Sequence, residues 1–190
     1  MLRKLAALGL ATVGFASTQV MAADQLLSGF LCCNMRTDGS WITDINYDDG
    51  GKRIIPVGTP IKVLGYGHYR VKIDVNGKKQ AIGNDYSRDL TPDVFAKRYV
   101  VSDDPAAKIA GFPKKTQDAI LSARIIKGMT RDQVLMSVGY PVSSENHNLD
   151  DKTWRFWLSS FVEFRVKFDD TGHVIDVDGD GDAKSKVLMD

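Results

Sequence analysis

The sequence predicts an α+β protein in which a β-rich N-terminal half precedes two helices and a three-stranded antiparallel sheet. Between Gly29 and Gly83, short apolar segments alternate with turn residues, as in the strands of a small sheet or barrel. In the C-terminal half, two helical patterns precede three strand patterns, which indicates a layer of helices on a layer of sheet. The length suits one large or two small domains, and we predict two domains with separate cores. We expect their boundary between Ala96 and Phe112.

Residues 1–22 have the pattern of a secretory signal peptide. Arg3 and Lys4 precede an apolar run at residues 5–15, and small residues end the segment at Ala22. A run this short is typical of a cleaved leader, because a membrane-spanning helix needs about 20 apolar residues. Removal of the leader reduces 25 basic residues to 23, against 24 acidic ones, a balance that disfavours nucleic-acid binding. We therefore expect a periplasmic protein, with peripheral outer-membrane association as an option.

The two cysteines, Cys32 and Cys33, are neighbours in the sequence. Two interpretations stay open: separate thiols on alternate faces of a strand, or a disulfide between neighbours, which an oxidising compartment would permit. Thiol catalysis is disfavoured, because no histidine lies close in sequence to stabilise a thiolate.

Residues 23–100 are assigned to an N-terminal β domain. Its clearest strand lies at residues 69–75, where apolar side chains alternate with polar ones. Asn76-Gly77 follows, which is a strong signal for a two-residue hairpin turn. A turn is predicted at residues 56–60, and further strands at residues 40–43, 53–55, 61–64 and 78–82. Several short strands in so few residues favour a small barrel.

Two short helices are predicted to connect the domains. Thr91-Pro92-Asp93 supplies a hydroxyl cap, a proline at the first helical position and an acid in the first turn, so a helix should run to about Tyr99. Asp104-Pro105 predicts a second helix, which Gly111 ends. This linker is placed at residues 101–111.

The helix near residue 130 has unusually complete end signals, and it follows a longer helix predicted at residues 113–126. Thr130 and Gln133 have the spacing of a capping box. Gly139 is expected to end the helix in the left-handed helical conformation, with a positive φ, and Pro141 prevents its continuation. Isolated helices of two turns are marginal in water, so this helix must be stabilised by packing on the sheet that follows.

Three strands are predicted at residues 154–159, 162–168 and 173–178, and their alternation separates a core face from a polar face. On the polar face, Trp157 is the one large aromatic residue among charged side chains. Tryptophan beside arginine is typical of an interface anchor, so we predict a protein-binding site there. Its residues are Trp157, Arg155, Arg165 and Glu163. The alternative is that the N-terminal barrel or the C-terminal tail covers Trp157.

Residues 112–180 resemble the SmpA/OmlA (BamE-like) domain of Gram-negative cell envelopes. The resemblance rests on an apolar Val134, an aromatic strand around Trp154 and the motifs Gly128-Met129-Thr130, Gly139-x-Pro141, Val166-x-Phe168 and Asp170-x-Gly172. It implies a BamE/β-lactamase-inhibitor-protein-like fold that binds proteins and has no active site. The best-known members are lipoproteins that assist outer-membrane β-barrel assembly. This chain lacks their lipidation cysteine and adds an N-terminal module, which is loosely similar to a bacterial SH3-like barrel.

An acidic run near the C-terminus raises the alternative of a weak calcium site. Asp176, Asp178, Asp180 and Asp182 occupy alternate positions of an EF-hand loop. Val187 stands where such a loop has its bidentate glutamate, and a strand rather than a helix precedes the run. We therefore predict that the run leads into a solvated tail at residues 181–190.

Taken together, these patterns predict a non-enzymatic protein-binding module of the cell envelope. Its partner would be a protein, its role would be support of envelope or outer-membrane protein assembly, and no cofactor is expected. Two alternatives stay open: an inhibitor of a secreted enzyme, by analogy of fold, and an enzyme built on the polar loop at residues 84–88. A pocket with convergent titratable groups would favour the enzyme, and a broad aromatic-bearing surface would favour binding.

Overall fold

The structure is a computed structural model that describes residues 26–48 and 50–189. The predicted leader at residues 1–22 lies outside the described residues. In the described part, the protein is a mixed α+β structure with five helices and several sheets, one of them a curled half-barrel. None of the described helices is both long and apolar enough to cross a membrane.

The curled sheet belongs to the N-terminal half and has six strands in the order β3-β7-β6-β5-β1-β8. β3 and β7 are parallel, and every other pair in this sheet is antiparallel. A separate two-stranded sheet joins β2 and β4. The strands are β1 (Ser28–Leu31), β2 (Met35–Thr37), β3 (Trp41–Thr43), β4 (Arg53–Ile55), β5 (Pro60–Gly67), β6 (Arg70–Val75), β7 (Lys78–Gly83) and β8 (Val100–Val101).

The predicted hairpin between β6 and β7 is confirmed. Asn76 and Gly77 have φ angles of 52° and 78°, as a tight turn with two residues at positive φ requires. Val71, Ile73 and Val75 point into the core, while the residues between them face outward. β1, β2 and β8 are too short to show an alternation that would have predicted them.

Cys32 and Cys33 follow β1 and are joined by a disulfide, so the interpretation as two separate thiols is wrong in this structure. Both residues are buried. They belong to the N-terminal apolar cluster, with Leu31 before them and Met35 after them.

The two predicted connecting helices are α1 (Pro92–Tyr99) and α2 (Pro105–Ala110). The side chain of Asp104 caps α2 by accepting a hydrogen bond of 2.9 Å from the main-chain N–H of Ala106. The predicted hydroxyl cap of α1 is wrong, because the Thr91 hydroxyl donates to the Asp93 carboxylate (2.6 Å) and accepts no bond from the helix.

The next helix, α3 (Lys114–Leu121), is five residues shorter at its C-terminus than predicted. Ala123 has a φ of 54°. Its N–H bonds to the oxygen of Ile120, and the N–H of Arg124 bonds to the oxygen of Ala119. These two bonds form a Schellman motif, which usually has glycine at the position of Ala123. The sequence therefore lacks the residue that would have signalled this helix end.

Helix α4 (Arg131–Val138) has the predicted capping box, with Thr130 and Gln133 bonded reciprocally between side chain and main chain. Gly139 has the predicted positive φ of 87°. Its ψ of −176° lies in a region that essentially only glycine adopts, rather than in the left-handed helical region expected.

The C-terminal sheet has the order β11-β10-β9 and is antiparallel throughout. Its strands are β9 (Thr153–Ser159), β10 (Val162–Phe168) and β11 (Val174–Gly179). The predicted alternation is confirmed on β9, where Trp154, Phe156 and Leu158 are buried and the intervening residues are partly exposed. These buried side chains pack in one cluster with residues of α3 and α4.

The predicted solvated tail at residues 181–190 is wrong. Residues 181–187 form α5 (Gly181–Val187), which begins where the Asp180 carboxylate accepts a hydrogen bond of 2.7 Å from Ala183. Ala183 and Val187 are buried in the C-terminal cluster. Leu188 then pairs with Ile125, so the end of the chain fills the space that follows the early stop of α3.

Buried apolar residues form two clusters, one in each half of the chain. Val57, from the N-terminal half, belongs to the C-terminal cluster, and Tyr140 packs against the N-terminal one. Polar contacts also join the halves, since the Asn34 side chain donates to the main-chain oxygens of Ile120 and Ser137.

Candidate protein-binding face

The outer face is defined here as the side of the β9–β10–β11 sheet opposite the core. The antiparallel register places Trp157 beside Glu163 and Arg155 beside Arg165. All four residues predicted as a binding site therefore lie together on this face. A two-residue period on adjacent strands is sufficient to explain this placement.

Glu163 is the centre of the charges on the outer face. Its carboxylate accepts a hydrogen bond of 2.6 Å from Nε of Arg155 and also pairs with Arg165. The guanidinium of Arg155 lies 4.6 Å from the centre of the Trp157 ring, a distance typical of a cation–π contact. One carboxylate thus holds two arginines, and one of these arginines covers part of the tryptophan.

Glu145 is a fifth member of this group that the sequence analysis did not predict. The indole N–H of Trp157 donates a hydrogen bond of 2.8 Å to the Glu145 carboxylate. The same carboxylate lies 3.6 Å from Nε of Arg155. Glu145 belongs to a turn after α4 and has no periodic relation to the strands, so only the fold brings it to Trp157.

Trp157 is half-buried rather than free on all sides. Ile45 and Asn46 from the N-terminal half line a narrow cleft with Trp157 and Leu158. The main-chain N–H of Asp48 donates a hydrogen bond of 2.8 Å to the oxygen of Leu158. The edge of β9 is therefore partly covered by the N-terminal half, while part of the indole stays exposed.

Phe161, in the turn between β9 and β10, is the most exposed large apolar residue in the described part of the chain. Its exposed fraction is 94%. It borders a surface depression of about 230 Å³ together with Glu163, Arg165 and Asp178. The sequence contained the signal, since a phenylalanine at the tip of a two-residue turn has no core to enter.

The four aspartates of the calcium alternative do not converge. Asp176 and Asp178 pair with Lys167, at 3.7 and 3.5 Å, and this lysine lowers the pKa of Asp178. Asp180 caps α5, and Asp182 pairs with Lys186 at 3.1 Å. Within residues 26–48 and 50–189, no group of three or more histidine, cysteine, aspartate or glutamate residues is placed to hold a metal ion. The geometry gives the calcium alternative no support.

The polar loop of the enzyme alternative lies next to a cavity with a volume of about 420 Å³. Asn84 and Arg88 line this cavity, with His68 and Asp89 nearby on its wall. Among the described residues of that wall, no two titratable side chains are hydrogen-bonded to each other. The carboxylate of Asp89 instead accepts a hydrogen bond from the Ser143 hydroxyl.

Comparisons of this chain with family models, curated proteins and solved structures find no match. The resemblance of residues 112–180 to the SmpA/OmlA domain is therefore a hypothesis drawn from the sequence. The geometry of the outer face is the observation on which a functional proposal is based.

Proposed function

We propose that this protein is a non-enzymatic protein-binding module of the cell envelope, and that it binds its partner through the outer face. The observation that carries this proposal is Phe161, which is almost fully exposed and borders a surface depression together with Glu163 and Arg165. Aromatic side chains and arginine are enriched among the residues that dominate binding energy at protein interfaces. An exposed phenylalanine also gains more from burial than any polar neighbour.

The charges of the outer face support the same proposal. Glu163 bonds to Arg155 and Arg165, and Glu145 bonds to the Trp157 indole. These contacts hold long side chains in fixed positions before a partner arrives. Binding then costs less side-chain entropy, since each immobilised side chain otherwise costs about 0.5–1.5 kcal/mol. The outer face therefore combines an apolar anchor with a polar surround that is already ordered.

The envelope location is proposed from the leader pattern at residues 1–22. Two helices, α3 and α4, precede the β9–β10–β11 meander along the chain. This order of elements supports a BamE-like arrangement, because the resemblance implies the same order. The curled N-terminal sheet is proposed to be the SH3-like module. A role in envelope or outer-membrane protein assembly follows from the same resemblance, and the partner would be another envelope protein.

A pull-down from envelope extract tests this proposal. The wild-type protein should capture a discrete partner, and both Trp157→Ala and Phe161→Ser should reduce its recovery. Leu121→Ser is the matched control, because Leu121 is also an exposed apolar residue (59%) but lies on α3. Undiminished capture by a folded Trp157→Ala, Phe161→Ser double variant would reject the outer face as the binding site.

A further inference from the structure

The cavity of about 420 Å³ has features that the proposed protein-binding function does not use. It lies between the β5–β6 turn, the loop after β7 and the start of α1. Leu90 and Pro92 supply accessible apolar side chains to its wall, and Arg70, Arg88 and Asn84 supply polar ones. A concave site with an apolar wall and a few polar groups is the usual form of a small-molecule site.

The two arginines of this cavity have no carboxylate partner among the described residues. The guanidinium of Arg70 lies 4.2 Å from the Trp41 ring centre, and that of Arg88 lies 4.6 Å from the Tyr69 ring centre. Stacking on a ring orients a guanidinium but leaves its N–H donors unused. Arg155 and Arg165 differ in this respect, since Glu163 pairs with both. The cavity thus has two oriented cations whose donors are available to an oxyanion.

Asn84 adds an acceptor to the cavity wall. The residue is 3% exposed, and its side-chain nitrogen donates a hydrogen bond of 3.3 Å to the oxygen of Leu90. That bond fixes the orientation of the amide, and its oxygen has no hydrogen-bond partner. Leaving a buried acceptor unpaired costs about 1–3 kcal/mol. A ligand with an N–H or O–H donor would remove this cost.

The main chain around the cavity is held in place. The N–H of Asn84 bonds to the oxygen of Tyr69 at 2.9 Å. Tyr69 has a φ of 53°, an unusual value for a residue with a side chain, and its ring lies 4.0 Å from that of His68. The turn thus presents the Tyr69 ring to Arg88.

We propose that this cavity binds a small organic anion that also carries an N–H or O–H donor. The oxyanion would be bound by Arg70 and Arg88, the donor by the side-chain oxygen of Asn84, and the apolar part by Leu90. Carboxylates and phosphate esters both have the required oxyanion, and arginine recognises both through paired hydrogen bonds. This site is separate from the outer face and does not depend on it.

An NMR titration of the ¹⁵N-labelled protein tests the proposal with three probes. They are the dipeptide Ala-Ala, its C-terminal amide and glycerol 3-phosphate. Ala-Ala or glycerol 3-phosphate should shift the amide signals of Tyr69, Asn84 and Arg88 in a saturable manner, and the stronger of the two identifies the oxyanion. The dipeptide amide lacks an anion and should bind at least about tenfold more weakly than Ala-Ala if a carboxylate is the ligand.

Two substitutions complete the test. Arg88→Gln and Arg70→Gln should each weaken binding of the responding probe about tenfold or more, since each removes a charge-assisted contact. Lys97→Gln is the control, because Lys97 lies on α1, pairs with Asp93 and is not part of the cavity wall. Spectra of the free variants report whether they are folded. Absence of saturable shifts with both anions, or equal binding by wild type and both arginine variants, would overturn the proposal.

Discussion

The side-chain amide of Asn46 donates a hydrogen bond of 2.9 Å to the main-chain oxygen of Val138, 92 residues away in the sequence. Val138 is the last residue of α4, and the final carbonyls of a helix have no partner within it. Asn34 donates hydrogen bonds to two more of these carbonyls. Its main-chain N–H bonds to the oxygen of Met136, and its side-chain amide bonds to the oxygen of Ser137. The N-terminal half therefore completes the C-terminal end of α4.

This arrangement explains why a helix of two turns has such strong end signals. Its N-terminus is closed locally by Thr130 and Gln133. At its C-terminus, the Leu135 carbonyl accepts from Gly139, and three carbonyls accept from residues of the N-terminal half. The N-terminus of α4 is thus fixed by local hydrogen bonds, and its C-terminus is fixed mainly by hydrogen bonds from the N-terminal half of the chain.

Asn34→Ala should lower the free energy of unfolding by about 2 kcal/mol or more. The substitution leaves the carbonyl of Ser137 and the N–H of Val57 without these partners in a buried site, and it removes one of the bonds to the carbonyl of Ile120. Asn148→Ala is the matched control, because the Asn148 side chain is exposed and accepts only a local bond from Asp150. Urea unfolding measures both losses. Equal losses would contradict the view that Asn34 joins the two halves.

Gly139→Ala should destabilise the protein more than Gly128→Ala. The two glycines have nearly equal φ angles, 87° and 86°, so both substitutions strain the main chain. A methyl group at Gly139 would lie 3.1 Å from the side-chain nitrogen of Asn46, whereas one at Gly128 would meet nothing within 4 Å. The difference between the two unfolding free energies therefore reflects the crowding at the Asn46 contact together with the main-chain strain at Gly139, whose ψ of −176° essentially only glycine adopts. A larger loss for Gly128→Ala would show that this contact tolerates a side chain.

Thr130→Ala should cost about 0.5–2 kcal/mol, because the Thr130 hydroxyl accepts the hydrogen bond that caps α4. Thr91→Ala should cost less, although Thr91 occupies the same position before α1. Its hydroxyl bonds to the Asp93 side chain and satisfies no helix N–H. Thermal or urea unfolding of the two variants tests this ranking. A reversed ranking would show that the side-chain bond to Gln133 is not what caps α4.

The sequence predicted those features whose causes are local. The capping box of α4, the positive φ of Gly139 and the alternation along β9 each depend on residues a few positions apart. It did not predict the stop of α3, because Ala123 stands where glycine usually gives the signal.

Long-range contacts account for the other differences. Nothing in the sequence marks Asn34 or Asn46. Their side-chain amides meet the carbonyls of α4 only because the two halves pack together. Glu145 reaches Trp157 in the same way. The C-terminal run is polar enough to resemble a tail, but Ala183 and Val187 find a core surface that the early stop of α3 leaves open.

Asp44 should make stability fall as the pH rises. Its carboxyl is buried, and burial raises its pKa above the ordinary value of 3.8. The hydrogen bond that it accepts from the N–H of Tyr86 lowers the pKa, but by less than burial raises it. The folded state therefore keeps a proton that the unfolded state has lost, so this carboxyl costs stability once the pH exceeds about 3.8. Relative to wild type, Asp44→Asn should therefore gain stability as the pH rises from about 3 to neutrality. The gain should be about 1.4 kcal/mol for each unit by which folding raises the pKa of Asp44.

Asp38→Asn is the control, because its effect on stability should change with pH in the opposite direction. Hydrogen bonds from the N–H groups of Ser40 and Trp41 lower the pKa of Asp38, so its carboxylate adds stability as the pH rises. Urea unfolding across this pH range, with each variant compared with wild type, measures both slopes. A pH-independent difference for Asp44→Asn would show that Asp44 has the same pKa in the folded and unfolded chains.

Site-specific photo-crosslinking tests the central claim, that the outer face binds a protein, most directly. A photoreactive phenylalanine analogue replaces Phe161 in one protein and Leu121 in another, both exposed apolar positions. In envelope preparations, the analogue at position 161 should give a discrete protein adduct that Trp157→Ala diminishes, and the analogue at position 121 should not. No adduct at position 161, or the same adduct at both positions, would contradict the assignment of the outer face as the binding surface.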